Sequence, residues 1–175
     1  TGDGSFAYGD NSVSMGRLCN AVSESSVALG YKTFASGLRS VAMGDSARAT
    51  GTNTTAIGFH SIASDSAAIA LGYNTTASGE ASSALGYYAT ATAEGSTAIG
   101  FRTTASGVYA MAMGQGTTAS GNFSTAMGNS VSTNNLNGAL VIGDASTSTT
   151  MFAAVPNSFR ARFDGGYRFF TSTAV

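Results

Sequence analysis

Glycine returns at Gly16, Gly30, Gly44, Gly58, Gly72, Gly86, Gly100, Gly114 and Gly128, always fourteen residues apart. A chain that rewrites one short unit must stack that unit on itself, so this interval limits the fold more than any other feature. The residue before each glycine is a large aliphatic: Met15, Leu29, Met43, Ile57, Leu71, Leu85, Ile99, Met113 and Met127. Two before each glycine stand Ala28, Ala42, Ala56, Ala70, Ala84, Ala98, Ala112 and Ala126, with Ser14 the one departure. A second alanine file follows five residues after each glycine, at Ala21, Ala35, Ala49, Ala63, Ala77, Ala91, Ala105 and Ala119. Two residues further on, Ser23, Gly37, Gly51, Asp65, Gly79, Ala93, Gly107 and Gly121 supply small or turn-forming side chains. After Gly128 the next aliphatic-glycine pair, Ile142-Gly143, comes one residue late, marking the end of the regular array and an atypical terminal coil.

Fourteen residues are too few for helical or leucine-rich repeats, and the Gly, Ser and Thr content disfavours helix. Each unit holds two short runs, such as STAIG and TTASG, set between glycine-marked turns. The expected fold class is all-β, a parallel β-solenoid with one 14-residue coil per repeat and two strands per coil. Alternation along a strand sends Val27 and Leu29 one way and Ala28 the other. On this reading Met15, Leu29 and their file fill the coil as its core. The Ala28 file then faces outward, where another backbone packs on it. The second alanine file faces inward. One coil buries one large side chain, about 1.5–3 kcal/mol, against backbone ordering of about 1–2 kcal/mol per residue. The expectation is therefore an obligate homo-oligomer joined through Ala28, Ala42, Ala56, Ala70, Ala84, Ala98, Ala112 and Ala126.

Composition excludes several classes. Charged residues make up 10% of the chain and the net charge is −1, which gives nucleic acid or an anionic membrane nothing to attract. One proline and no three-residue period exclude collagen. Cys19 is the only cysteine, so an intrachain disulfide and a cysteine-based zinc site are both impossible. No apolar run approaches the roughly 18 residues of a membrane span, so no membrane contact is expected within these residues. The opening TGDGSF, without an initiator Met, reads as part of something longer.

Nothing in the sequence assembles a catalytic, cofactor or metal site, and the expectation is a non-enzyme. His60 has no second imidazole or thiol to join it. No nucleophile elbow or phosphate-binding fingerprint is present. Glu80 and Glu94 hold equivalent places on adjacent coils, as Glu24 does further up, forming either a solvated edge or a seat for a cation or arginine. After the glycines stand Tyr31, Phe59, Tyr73, Tyr87 and Phe101, interrupted by Asp45. Stacked about 4.8 Å apart, these rings form either a ligand-facing ladder or a ring-on-ring cover for turns and seams. Thr76, Thr90, Thr104 and Thr118 form a file beside Thr75, Thr103 and Thr117, as an ice-binding solenoid would require, but Phe34, Arg48 and Ile62 break that file upstream.

The repeat written SVALG, SVAMG, TTAIG, AIALG, SSALG, STAIG, AMAMG and STAMG resembles the head repeat of YadA-like trimeric autotransporter adhesins, over roughly residues 5–143. The resemblance implies a left-handed parallel β-roll and a homotrimer. It also implies adhesion at a bacterial cell surface, with the full-length protein anchored in the outer membrane. Its partners would be further copies of itself and an extracellular matrix protein or surface glycan. The family's heptad stalk and membrane anchor are not found in these residues. Residues 1–143 are read as the head repeats and 144–175 as a cap or adaptor. In that cap Phe159, Ala161 and Phe163 alternate with Arg160 and Arg162, Asp164-Gly165-Gly166 turns, and a return strand closes a hairpin over 159–170. This stretch is similar to segments of tail-fibre-like proteins that precede a cleavable intramolecular chaperone, which supplies a second delivery route for the same fold.

Overall fold

In a computed structural model, residues 2–147 and 149–167 are described. They wind into two parallel sheets of eleven strands each, with odd and even strands of the chain falling in separate sheets. Each coil contributes one long strand, such as Val27–Tyr31, to the first sheet and one short strand, such as Phe34–Ala35, to the second. Long strands run from Val13–Arg17 to Phe159–Arg162, and short strands from Phe6–Ala7 to Met151–Phe152. The register never slips within the array: Ala70 lies over Ala84, Leu71 over Leu85, Gly72 over Gly86 and Tyr73 over Tyr87. At the usual strand spacing, the eleven coils stand about 48 Å tall.

The alternation read from the sequence is present with the opposite polarity. Ala28, Ala42, Ala56, Ala70, Ala84, Ala98, Ala112 and Ala126 are all fully buried within their own chain, so they are not an interface between chains. Met15, Leu29, Met43, Ile57, Leu71, Leu85, Ile99, Met113 and Met127 are the outward file instead, half-buried or exposed, with Met15 59% exposed. The reason is thickness. Links of only two residues (32–33) and five residues (36–40) join the strands of a coil and hold the sheets too close together for anything longer than a few atoms. The inward files are therefore the two alanine files plus a column at Ser26, Ser40 and Thr54 and another at Cys19, Thr33 and Thr75, all fully buried. The expectation that the second alanine file faces inward is met, since Ala21, Ala35 and its other members are fully buried.

Polar atoms inside so thin a coil must find partners close by. Several do so at the turns, where Thr54, Ser96 and Ser124 each donate their hydroxyl to the carbonyl three residues back, at 2.7, 2.7 and 2.6 Å. The registered glycines are dictated by the neighbouring coil. Gly86 has φ 123°, and a Cβ there would stand 2.2 Å from the carbonyl oxygen of Gly100. No L side chain suits that conformation and that approach together.

The fifteen-residue step from Gly128 to Gly143 is absorbed in one turn. Asn134 and Asn135 both adopt left-handed geometry, φ 52° and 58°, which asparagine tolerates better than most residues. Beyond the turn, Leu140 resumes pairing with Thr125 and Gly143 with Gly128. Larger residues enter the interior only here, where Val131 and Val141 are fully buried. Phe159–Arg162, read from sequence as the first arm of a hairpin, pairs in parallel with Leu140–Gly143 as the long strand of a further coil. The return arm at 168–170 lies outside the described residues.

Arg160 occupies the inward, alanine-file position of that last coil, below Val141, and reaches across to donate to the Phe152 carbonyl at 2.8 Å. Arg162 donates to the carbonyls of Thr149 (2.8 Å) and Asp144 (3.0 Å) and pairs with the Asp144 carboxylate at 3.4 Å. Two guanidinium groups thus tie the last described coil to carbonyls of the coil before it.

Candidate interaction surface

The outer face of the long-strand sheet carries an unbroken aliphatic file beside a mixed file of aliphatic, Thr and Ser side chains. One is the Met15–Leu29–Met43 file. The other, two residues earlier on each strand, is Val13, Val27, Val41, Thr55, Ile69, Ser83, Thr97, Met111, Thr125 and Leu140. Each side chain is partly covered by its copies above and below, yet Val13, Ile57, Ile69 and Met111 remain large exposed hydrophobics. A strip about 48 Å long at the strand spacing and roughly 10 Å wide is of the size of the largest patches on soluble monomers, several hundred Å², which are often functional. The second file was legible as a run of Val, Ile and Thr, but its meaning depended on the polarity of the sheet.

The aromatic residues form a continuous stack where the strands leave this face. Ring centroids lie 4.8 Å apart for Phe59–Tyr73, 4.7 Å for Tyr73–Tyr87 and 5.3 Å for Tyr87–Phe101, with planes within 10° of parallel. His60 lies parallel to Phe59 at 4.3 Å, and the Arg102 guanidinium approaches Phe101 at 5.3 Å. Tyr88, absent from the ladder expected from sequence, packs edge-on against Tyr73 and Tyr87. The flat faces of these rings are used up on one another, and ring edges and hydroxyls face solvent. Tyr31 stands apart from the stack between two cations, with Lys32 5.0 Å and Arg17 5.7 Å from its ring. Asp45 separates Tyr31 from Phe59 along the file.

The short-strand sheet presents a different chemistry. Thr76, Thr90, Thr104 and Thr118 pair in register on its outer face, half-buried. Thr75, Thr103 and Thr117, their neighbours in sequence, point into the coil and are fully buried, so the two groups do not share a surface. Glu94 accepts a hydrogen bond from the Tyr109 hydroxyl of the next coil. That bond and the carboxylate's charge raise the Tyr109 pKa. Among the described residues no group of three His, Cys, Asp or Glu side chains could hold a metal ion. Cys19 is a buried thiol in the column of Thr33 and donates to the Gly30 carbonyl at 3.0 Å.

Parallel coils, an alanine interior and an outer surface of apolar, aromatic and hydroxyl files define a non-catalytic repeat solenoid of the adhesive-head type. The family described as YadA head domain repeat matches residues 21–47, 49–75, 77–103 and 105–130. These segments make up more than half of the chain, and the chain belongs to that family. No curated protein matches the chain.

Proposed function

We propose that this chain is the head of a homotrimeric bacterial surface fibre, which attaches the cell to a matrix protein or surface glycan by multivalent binding. The observation that carries this reading is the unbroken file of Leu, Ile and Met side chains from Met15 to Met127 on the outer face of the long-strand sheet, partly exposed in a single chain. Its occupant is the same strip of two further copies. Identical strips on parallel rolls stay in register along their whole length, so each aliphatic meets an aliphatic. Burying the part still exposed of about nine Leu, Ile or Met side chains per chain, at about 25 cal/mol per Å², adds to the stabilisation that the alanine interior lacks. The long repetitive outer surface then offers three copies of each weak contact, and retention comes from avidity. A left-handed roll and an outer-membrane anchor carried by further segments complete this reading.

Light scattering on residues 1–175 over a dilution series tests it. A constant mass of three chains is expected. A folded species with the mass of one chain at every concentration refutes the assembly and the function built on it.

A further inference from the structure

We propose that Tyr73 and Tyr87 form a site of oxidative phenol coupling, in which a one-electron oxidant joins the two rings and staples adjacent coils covalently. The pair is held in place by the backbone. Tyr73 lies over Tyr87 in the parallel ladder, and the rings stack with centroids 4.7 Å apart and planes 8° from parallel. Identical register puts the two hydroxyls on the same side of the stack, with the ring carbons ortho to oxygen facing each other. Both residues are exposed, at 37% and 41%. No described residue hydrogen-bonds to either phenol, so an oxidant meets them unprotected.

The surroundings confine the radical. Above and below the pair stand Phe59 and Phe101, which have no hydroxyl hydrogen to lose. Tyr31 lies three strand spacings from Tyr73, about 14 Å away. Tyr109 is engaged by Glu94 and belongs to another turn. A phenoxyl radical formed on either ring therefore has its stacked partner within 4.7 Å as a reaction site, with Tyr88 the one other phenol beside the pair among the described residues. Tyr88 lies edge-on to both rings, 4.8 Å from Tyr87 and 5.8 Å from Tyr73, so coupling of Tyr87 to Tyr88 is the competing outcome, and it would stay within one peptide in the experiment below.

The oxidant class is hydrogen peroxide with a haem peroxidase. Each phenol loses one electron and its hydroxyl proton. The two radicals join through ortho carbons in one new C–C bond. Each ring then loses its ortho hydrogen as a proton while its oxygen regains one. In total two hydrogens leave the protein, and one peroxide is reduced to two waters.

The experiment treats the assembled wild-type chain with peroxidase and peroxide and reads intact mass. A loss of two hydrogens is expected, whereas methionine oxidation would add oxygen. A protease cutting after glutamate places Tyr73 in residues 25–80 and Tyr87 and Tyr88 in residues 81–94. The coupled product holds these two peptides together. Tyr73→Phe and Tyr87→Phe should each abolish the joined peptide, Tyr31→Phe should leave its yield unchanged, and Tyr88→Phe should leave it unchanged or raise it. Phenylalanine already occupies this file at Phe59 and Phe101, so these variants keep the stack and the fold. The proposal is overturned if wild type shows no joined peptide, or if the product links two chains. It is equally overturned if the product survives loss of Tyr73 or Tyr87, or disappears with Tyr88.

Discussion

Ala84 and Leu85 are neighbours in one strand, and opposite substitutions at them separate the coil interior from its outer face. Ala84 is fully buried and lies between Ala70 and Ala98 in the stack. Ala84→Val adds two methyl groups where the facing positions are already alanine, serine or threonine. Overpacking of this kind costs about 1–3 kcal/mol. For a chain of this size each kcal/mol lowers Tm by about 2–4 °C, so a fall of roughly 2–12 °C is expected with no change in mass. Leu85→Lys leaves the interior and both flanking backbone ladders untouched. Leu85 is already largely covered by its neighbours in the ladder, so assembly buries about a third of it or less and the change removes roughly 0.5–1 kcal/mol per copy, or about 1.5–3 kcal/mol over three copies. That weakens assembly by roughly one to two powers of ten, before the cost of burying the new charges and their repulsion. Circular dichroism melting and light scattering on the same samples distinguish the two. Ala84→Val should melt early as an intact oligomer, and Leu85→Lys should keep its strand signal and scatter as a single chain. If instead Ala84→Val dissociates without a change in Tm and Leu85→Lys unfolds, the polarity of the long-strand sheet argued above is wrong.

Gly86→Ala should cost more than Ala84→Val. The left-handed φ of 123° adds about 1–3 kcal/mol of strain, and the Cβ must also displace the Gly100 carbonyl, so thermal melting should show the larger fall. Ala81 adopts φ 53° on an exposed turn, in the file where Asn11 and Asn53 hold the same geometry. Ala81→Asn should therefore raise stability by about 0.5–1 kcal/mol in a denaturant titration, since asparagine tolerates this region. The Asp144 carboxyl is drawn down from 3.8 to about 2 by the Ser146 hydroxyl, the Asp164 and Ser146 amides and Arg162. A depressed carboxylate pKa stabilises the fold fully above the unfolded value, and that contribution is lost as pH falls through the folded one. Pepsin should accordingly cut within residues 149–167 faster at about pH 2 than at about pH 4, after correction for its intrinsic rate on an unfolded peptide. Asp144→Asn should be cut at the faster rate at both.

The fourteen-residue spacing of Gly16 to Gly128 was enough to determine a parallel two-strand coil and its register, because the next coil's carbonyl leaves no room for a side chain at those positions. The same spacing placed the inserted residue, but the coil at Leu140–Gly143 that it marked as terminal is followed by a further one at Phe159–Arg162. Alternation also told that Ala28 and Leu29 point to opposite sides, yet it could not tell which side was inside. Burial of the larger residue is the usual rule, and here it fails. The distance between the sheets is set by how tightly two turns close, and this admits only Ala, Ser, Thr and Cys across the regular coils. Leu29 and its file are thereby turned outward onto the surface where a partner is needed. Phe159–Arg162 shows the same division. Its alternation and the Asp164-Gly165-Gly166 turn suited a hairpin, but the open edge of the coil at Leu140–Gly143 was a template only the folded chain supplied, and the strand paired there in parallel.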